Sequence, residues 1–431
     1  MQGFELVSSA SHLTRCDRLR SKRLRLSHAQ KPRLAVISPF LDKSHGSERI
    51  MLEWLSHLPD SFEIHIYSQR VEDVDLSSFQ WHRIPELPGP HLFNFLWWLA
   101  ASHLLIGWDR RFRGLRHHIV FSSGANYPGA DAICIHIIFA EYVRRMERGA
   151  SLLRNPVWRW PRLIHRKLYY RLACLLEKRA YPDPNTTLIV HSQKTADELN
   201  QHYGRRDQVR LLYPGVEHSK FSPEVRAALR NAARKALELE TGHFAAIMIG
   251  NDWRNKGVPV LLEAMEQLRD IPIRLLIVSR EDPSGWWKLA REKGLDERVR
   301  LLPPRKNVEF YYAAADVYAG PSLQDSYAMP PAEAMACGLP VIVSAAAGIS
   351  EIVTSGTDGL VLNDPRDAAE IATMIRRLYG DVEFRNRLGE NAAATMRQYT
   401  WERNGRELAA IFDEILERKS RFEVHAMVHE R

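Results

Sequence analysis

The sequence predicts an α/β protein made of two doubly wound, parallel-sheet domains that face a cleft. Short apolar runs of strand length alternate with stretches of helix length. That alternation pauses around residues 214–240 and then resumes more cleanly. The chain, at 431 residues, is long enough for two domains of ordinary size. Strands separated by helical segments of about ten residues make parallel βαβ units, because a parallel partner needs a crossover.

Each element follows from local pattern. RLAVISPF (33–40) is a continuous apolar run, followed by the loop KSHGSER and a helix from Ile50 to Leu58. FEIHIYS (62–68) is the next strand. LFNFLWWLAASHLLIGW (92–108) is the longest apolar stretch, but it includes Asn94, Ser102 and His103. A spanning helix needs roughly 20 cleaner residues, so this one is expected to be buried or surface-associated. HIVFSSG (118–124) and AICIHII (132–138) are strands joined by the turn-rich NYPGAD. A long basic helical region covers about 139–181, then TTLIVHS (186–192) is a strand and KTADELNQHYG a helix ending at a Gly cap. RLLYPG (210–215) closes the half, and 214–240 has the turn chemistry of a linker entering a helix.

In the second half, strands are expected at 244–250, 274–279, 299–303, 317–322, 341–344 and 359–362. Helices are expected at 258–269, 285–294, 308–315, 331–337 and 366–379, with an amphipathic one at 399–419. The division is therefore a basic extension (1–30), a first domain (31–220), a second domain (221–396) and a closing helix (397–431).

A hydrophobic content of 45% with 26% charged residues describes a globular protein. Cys16, Cys134, Cys174 and Cys337 are far apart and form no C-x-x-C pair, which argues for buried thiols in a reducing compartment without disulfide or zinc. The first thirty residues lack the apolar core of a secretory signal, and a cytoplasmic setting is expected. Residues 1–220 hold 32 Lys+Arg against 21 Asp+Glu, whereas the rest is slightly acidic. The basic half thus faces an anionic partner.

The most informative stretch is Pro321–Pro340, PSLQDSYAMPPAEAMACGLP. Asp325 and Glu333 stand eight positions apart around a Pro-Pro pair that opens a short helix. The backbone N–H groups of Tyr327, Ala328 and Met329, with the Ser326 hydroxyl, suit a phosphate at a positive helix end. The carboxylates suit hydroxyls. A ligand carrying both is a nucleotide-sugar. A second candidate loop, GNDWRNKG (Gly250–Gly257), links a strand to a helix and carries Arg254 and Lys256. A fixed cation there would stabilise the charge that grows on a departing diphosphate.

The run from Asp325 to Gly338 resembles the E-x7-E signature of retaining glycosyltransferases of family 4, usually E-G-F-G-L-P-P-L-E-A-M-A-C-G. The first acid is Asp here. The resemblance covers about residues 33–420 and implies the GT-B architecture, two Rossmann-like domains around a cleft. It implies that Glu333 grips the nucleotide ribose and Asp325 lies near sugar hydroxyls. Ser326, Tyr327, Ala328 and Met329 would hold sugar and phosphate, and Arg305 and Val308 would lie along the base. The family pattern G-x5-K-G gives Lys256 the diphosphate. Its second cation commonly follows the glycine, where Asn251 stands, so Arg254 is the expected substitute. The loop Ser44–Glu48 resembles the family's glycine-rich loop, with Gly46 approaching the diphosphate, and His136 matches a histidine near the reacting carbon.

Such a cationic clamp needs no metal or other cofactor, and Asp73-Val74-Asp75 is a chance D-x-D match. NYPGAD…IIFAEY and HYG…LLYPG resemble the lipopolysaccharide-core glucosyltransferase branch. This implies a UDP-linked donor and a lipid-linked or cell-surface glycan acceptor, moved with retention of configuration. The Arg-, Trp- and Tyr-rich segment 139–179 has the composition of a helix lying on an anionic membrane, which is favoured over nucleic acid. Two alternatives stay open: a nucleotide-sugar 2-epimerase of the same fold, and a catalytically inert membrane-associated partner.

Overall fold

A computed structural model describes residues 31–43, 45–146 and 160–429. The basic extension, Ser44, part of the basic aromatic segment (147–159) and the last two residues lie outside them.

The first half contains strands β1 (Arg33–Ile37), β2 (Phe40–Leu41), β3 (Glu63–Ser68), β4 (Arg70–Val71), β5 (Gln80–Arg83), β6 (Ile119–Ser123), β7 (Ala132–Ile135), β8 (Thr187–Val190) and β9 (Val209–Leu211). Seven of them form one sheet in the order β5-β3-β1-β6-β7-β8-β9, while β2 pairs with β4 beside it. The second half contributes β10 (Phe244–Ile249), β11 (Ile273–Val278), β12 (Val299–Leu302), β13 (Val317–Gly320), β14 (Val341–Ser344) and β15 (Leu360–Leu362), ordered β12-β11-β10-β13-β14-β15. Every pairing in the two large sheets is parallel. Both sheets are covered on their two faces, which is why Leu34–Ile37 and Ala132–Ile135 are wholly buried and read as continuous apolar runs.

In each sheet the chain reverses its direction of travel beside the first strand, between β1 and β6 and between β10 and β13. Crevices at such reversals, beyond the carboxyl ends of the strands, are where doubly wound sheets bind ligands. The loops after β1, β7, β8, β10 and β13 are therefore the ones to inspect.

Some elements escaped the sequence pattern, among them β5 and the helix Val382–Met396. Strand β5, QWHR, is an edge strand with one large apolar residue, too polar to stand out. Helix Val382–Met396 follows Gly380 at once, restarted by the Asp381 carboxylate, which accepts from the Phe384 N–H. The expected linker contains helix Pro223–Ala236, capped by Ser222 with proline at its first turn. Its Arg226, Arg230 and Arg234 donate to the carbonyls of Ala313, Ala314 and Ala315, fastening it to the second domain.

The apolar segment forms helix His91–Phe112, with Trp98, Ser102, Ile106 and Asp109 turned inward. Phe93, Leu104, Trp108 and Phe112 are exposed. Among the described residues no helix is long and apolar enough to cross a membrane.

Helix Trp401–His429 returns to the first domain, where Phe412 packs edge-on to Phe62 and Phe121. Gly405 permits the approach, since a Cβ there would sit 1.9 Å from the His57 carbonyl oxygen. Asn404 pins the crossing: its Oδ1 accepts from Gly215 N–H at 2.6 Å and its Nδ2 donates to the Tyr213 carbonyl at 2.9 Å. Asn404→Ala leaves the buried Gly215 N–H and the half-buried Tyr213 carbonyl without this partner, so denaturant unfolding is expected to show a loss of about 2 kcal/mol. A change below about 0.5 kcal/mol would mean the crossing does not depend on these bonds.

Candidate functional site

The loop Gly250–Gly257 leaves β10 with Gly250 at φ +152° and enters its helix with Gly257 at φ +80°. A Cβ on Gly257 would lie 2.3 Å from the Pro321 carbonyl oxygen, so only glycine lets this loop touch the one after β13. The two loops are stitched together: Leu323 N–H donates to Asn255 O at 2.6 Å, and Asn255 Nδ2 donates to Gln324 O at 2.8 Å. That contact brings the Lys256 ammonium onto the Asp325 carboxylate as an ion pair. Asn251 does not serve this pair. Its Oδ1 accepts from the Ser279 hydroxyl and the Arg280 N–H, holding the loop after β11. Arg254 is exposed and lines neither cavity described below.

The short helix runs Met329–Ala336, with Pro330 and Pro331 in its first turn. Ala328 before it has φ +77° and ψ 91°, a conformation that costs a residue with a Cβ of order 1–3 kcal/mol. The turn leaves the N–H groups of Ser326, Tyr327 and Ala328 with no acceptor among the described residues. These donors lie at the positive end of a helix dipole, an arrangement suited to an anion. The Tyr327 side chain is buried, its hydroxyl 3.4 Å from the Pro214 carbonyl, so only its backbone is available. Ala328 and Met329 are likewise buried.

Glu333 is buried, and its two oxygens are held from both domains. Arg49, from helix Gly46–Ser56 of the first domain, donates to Oε1 at 2.5 Å. The Tyr312 hydroxyl donates to Oε2 at 2.8 Å. Burial opposes the Arg49 charge, but Glu333 outweighs it and raises the guanidinium pKa. Neither partner stood out in the sequence, because a lone Arg or Tyr at helical spacing has no signature.

Across the cleft, His136 follows β7 and His191 follows β8, with His136 Nδ1 and His191 Nε2 3.0 Å apart. Burial depresses both pKa values, His191 to about 4, so both rings are neutral near pH 7. Lys194, in the first turn of helix Gln193–Tyr203, has its ammonium 3.2 Å from Glu198 and buried. The same helix end is capped from the second domain: Glu351 accepts from the N–H of Gln193 and Lys194 at 2.7 and 2.8 Å, and from the Tyr213 hydroxyl at 2.9 Å.

A cavity of about 360 Å³ lies between the domains, lined by Lys256, Asp325 and Ser326 on one wall and by His136, Tyr142 and Lys194 on the other. A second, of about 310 Å³, lies within the first domain and is walled by Phe40, Phe95 and Tyr169, with Glu48, Arg70 and Asn126. His136, Ile137 and Phe139 line both, so the cavities are adjoining compartments. Burial raises the Glu48 pKa.

The remaining expected residues are not drawn into either lining. Gly46 opens its helix at the surface, Arg305 lies 4.8 Å over the Phe310 ring, and Val308 caps helix Glu309–Ala314. Ser44 lies outside the described residues.

Ala328→Gly should relieve the backbone strain and stabilise the protein by about 1 kcal/mol, less than the full strain because glycine is freer when unfolded. Equilibrium denaturation checks this, and a destabilised variant would mean the strain is absent or offset.

Residues 243–381 match the family model described as glycosyl transferases group 1. The D-inositol 3-phosphate glycosyltransferase of Corynebacterium urealyticum is 30% identical over 261 residues, 58% of this chain and 60% of the relative. The corresponding protein of Pseudarthrobacter chlorophenolicus is 33% identical over 231 residues, 51% of this chain and 54% of the relative. The matches thus span little more than half of each relative's length. Among solved structures, WaaG, a glycosyltransferase involved in lipopolysaccharide biosynthesis, superposes with a TM-score of 0.73 at 19% identity, covering 88% of this chain and 99% of its own. Anabaena HepE, solved with UDP and glucose, gives 0.65 at 17% identity, covering 88% and 99%. These likenesses establish the GT-B fold, and residues 243–381 of the second domain are similar to glycosyl transferases group 1.

Proposed function

We propose that this chain, a GT-B protein carrying a group 1 glycosyltransferase domain of family 4, moves a sugar from a nucleotide diphosphate donor to a glycan or lipid-linked acceptor with retention of configuration. The observation that carries the reading is the Lys256–Asp325 pair in the interdomain cavity, opposite His136 and Lys194. UDP is the proposed nucleotide, supported by the UDP complex of the structural neighbour HepE.

The diphosphate lies against the free N–H groups of Ser326–Ala328, with Lys256 neutralising the charge that develops as the sugar leaves. A cation held by Asp325 is pre-oriented, and the pair loosens when phosphate competes for the ammonium. Lys194 is the second cation of this arrangement, taking from the first domain the place that Asn251 leaves empty. The charge is met by side chains without a divalent ion. Asp325 also accepts from sugar hydroxyls, and neutral His136 lies beside them. In a front-face transfer the acceptor hydroxyl attacks on the leaving side and passes its proton to the diphosphate oxygen. Positioning and electrostatics then supply most of the rate. The ribose reaches Glu333 once Arg49 yields, which couples donor entry to separation of the domains.

Lys256→Ala is expected to slow UDP release from UDP-sugars by about 100-fold or more with the fold intact, and Lys194→Ala by about 10-fold. Wild-type turnover in Lys256→Ala would end this assignment. Product anomeric configuration, read by NMR, tests retention.

The acceptor side faces a membrane in this reading. Helices His91–Phe112 and Trp160–Ala180 pack together through Leu92 N–H to His165 Nε2 at 3.1 Å, and Phe95 lies 5.4 Å from Tyr169. Between them they expose Phe93, Leu104, Trp108, Phe112, Ile164, Leu168 and Leu175. Arg110, Arg111, Arg162, Arg166, Lys167 and Arg171 are exposed on the same two helices. Apolar side chains interleaved with cations fit an anionic lipid surface. The protein should sediment with phosphatidylglycerol vesicles at low salt and release at high salt, and Trp108→Ala should weaken binding. Absence of binding at low salt would discard this surface.

A further inference from the structure

We propose that Cys134, His136 and His191 form a three-ligand site for a soft divalent ion, zinc being the fitting occupant. This departs from the expectation drawn from cysteine spacing, because two of the ligands are histidines and one comes from another strand. The site is a consequence of register. Strands β7 and β8 are parallel neighbours with Cys134 opposite Ile189 and Ile135 opposite Val190. Alternation along a strand sends Cys134 and His136 to one face. Continuing the register past the strand ends sets His191 beside His136.

The three ligand atoms lie within 4.8 Å of one another. His136 Nδ1 to His191 Nε2 is 3.0 Å, Cys134 Sγ to His191 Nε2 is 3.5 Å, and Cys134 Sγ to His136 Nδ1 is 4.0 Å. A tetrahedral zinc ion with ordinary Zn–N and Zn–S lengths needs edges of about 3.3 Å between nitrogens and about 3.6 Å between sulfur and nitrogen. Shifts of a few tenths of an ångström therefore complete the site.

The hydrogen-bond arithmetic favours an ion as well. His191 Nδ1 faces the Leu212 carbonyl oxygen at 3.4 Å, so its proton belongs there and its Nε2 carries a lone pair. The Cys134 thiol and His136 Nδ1–H then compete for that one acceptor. A cation would instead accept a lone pair from all three. The Leu212 carbonyl is the kind of outer partner that orients a metal-binding histidine. Among the described residues the buried His136 Nε2 has no partner. With an ion on Nδ1, this second nitrogen carries the proton and becomes a donor. His136 lines both cavities, while Cys134 and His191 are buried behind it.

Binding converts the thiol to a thiolate and releases one proton to solvent; both imidazoles bind as neutral bases. The ion touches no phosphate. Its task is to fix the His136 ring and the ends of β7 and β8, and its detection does not depend on the transfer reading.

The test uses full-length protein stripped with a chelator and titrated with Co²⁺ as a spectroscopic substitute for zinc. The expected result is one equivalent bound with a thiolate-to-cobalt charge-transfer band, lost in Cys134→Ser. His191→Ala should weaken zinc affinity at least about tenfold against a competing chelator. Zinc-edge X-ray absorption of the wild type, which needs no variant to fold, should show one sulfur and two imidazole nitrogens. No stoichiometric uptake, a zinc shell without sulfur, or a charge-transfer band unchanged in Cys134→Ser would each overturn the proposal.

Discussion

A buried carboxylate must find partners, and in this protein Glu333 finds one in each domain. Arg49 and Tyr312 take its two oxygens, and the acid is almost wholly out of water. Removing either partner of such a buried pair is costly, so the contact between the two domains and the burial of Glu333 are tied together. The helix that carries Glu333 also ends the loop of Asp325 and the unpaired N–H groups. Arg49 sits in the helix that follows β1, at the reversal point of the first sheet. One ion pair therefore joins the helix after β1 to the helix that follows the Asp325 loop. The Glu351 cap on helix Gln193–Tyr203 is a second tie between the domains, and it places Lys194 on the opposite wall.

The chemistry proposed for this site is electrostatic. Lys256 is held by Asp325, Lys194 by Glu198, and each ammonium is partly withdrawn from solvent. Charges so placed act more strongly on a phosphate than they would in water. Aspartate in place of glutamate shortens the first acid by one methylene, and the ion pair with Lys256 is the direct use the structure makes of it. Asn251 shows the complementary economy. A cation was expected near that position, yet the side chain braces the loop after β11, and the proposed second cation, Lys194, comes from the other domain.

Much of the fold was legible because buried parallel strands are continuous apolar runs and the helices between them have clear caps. The local structure around Asp325 and Glu333 was legible because its residues lie within a few turns of chain. Proline and glycine at Pro330, Pro331, Gly250 and Gly257 marked it by backbone geometry. What stayed hidden was set by long-range register. Arg49 and Glu333 are 284 positions apart, and Lys194 reaches the cavity only through the position of β8. His191 joins Cys134 and His136 through a strand pairing that no spacing rule describes. Strand β5 and helix Val382–Met396 were missed because one is a polar edge and the other begins without an intervening loop.

A structure with a UDP-sugar bound tests the central claim most directly. The diphosphate should lie within hydrogen-bond distance of Lys256 and the N–H groups of Ser326–Ala328, with the sugar toward Asp325 and His136. The ribose should replace Arg49 at Glu333. A nucleotide bound elsewhere, or a diphosphate held through a divalent ion with Lys256 still locked on Asp325, would contradict the account.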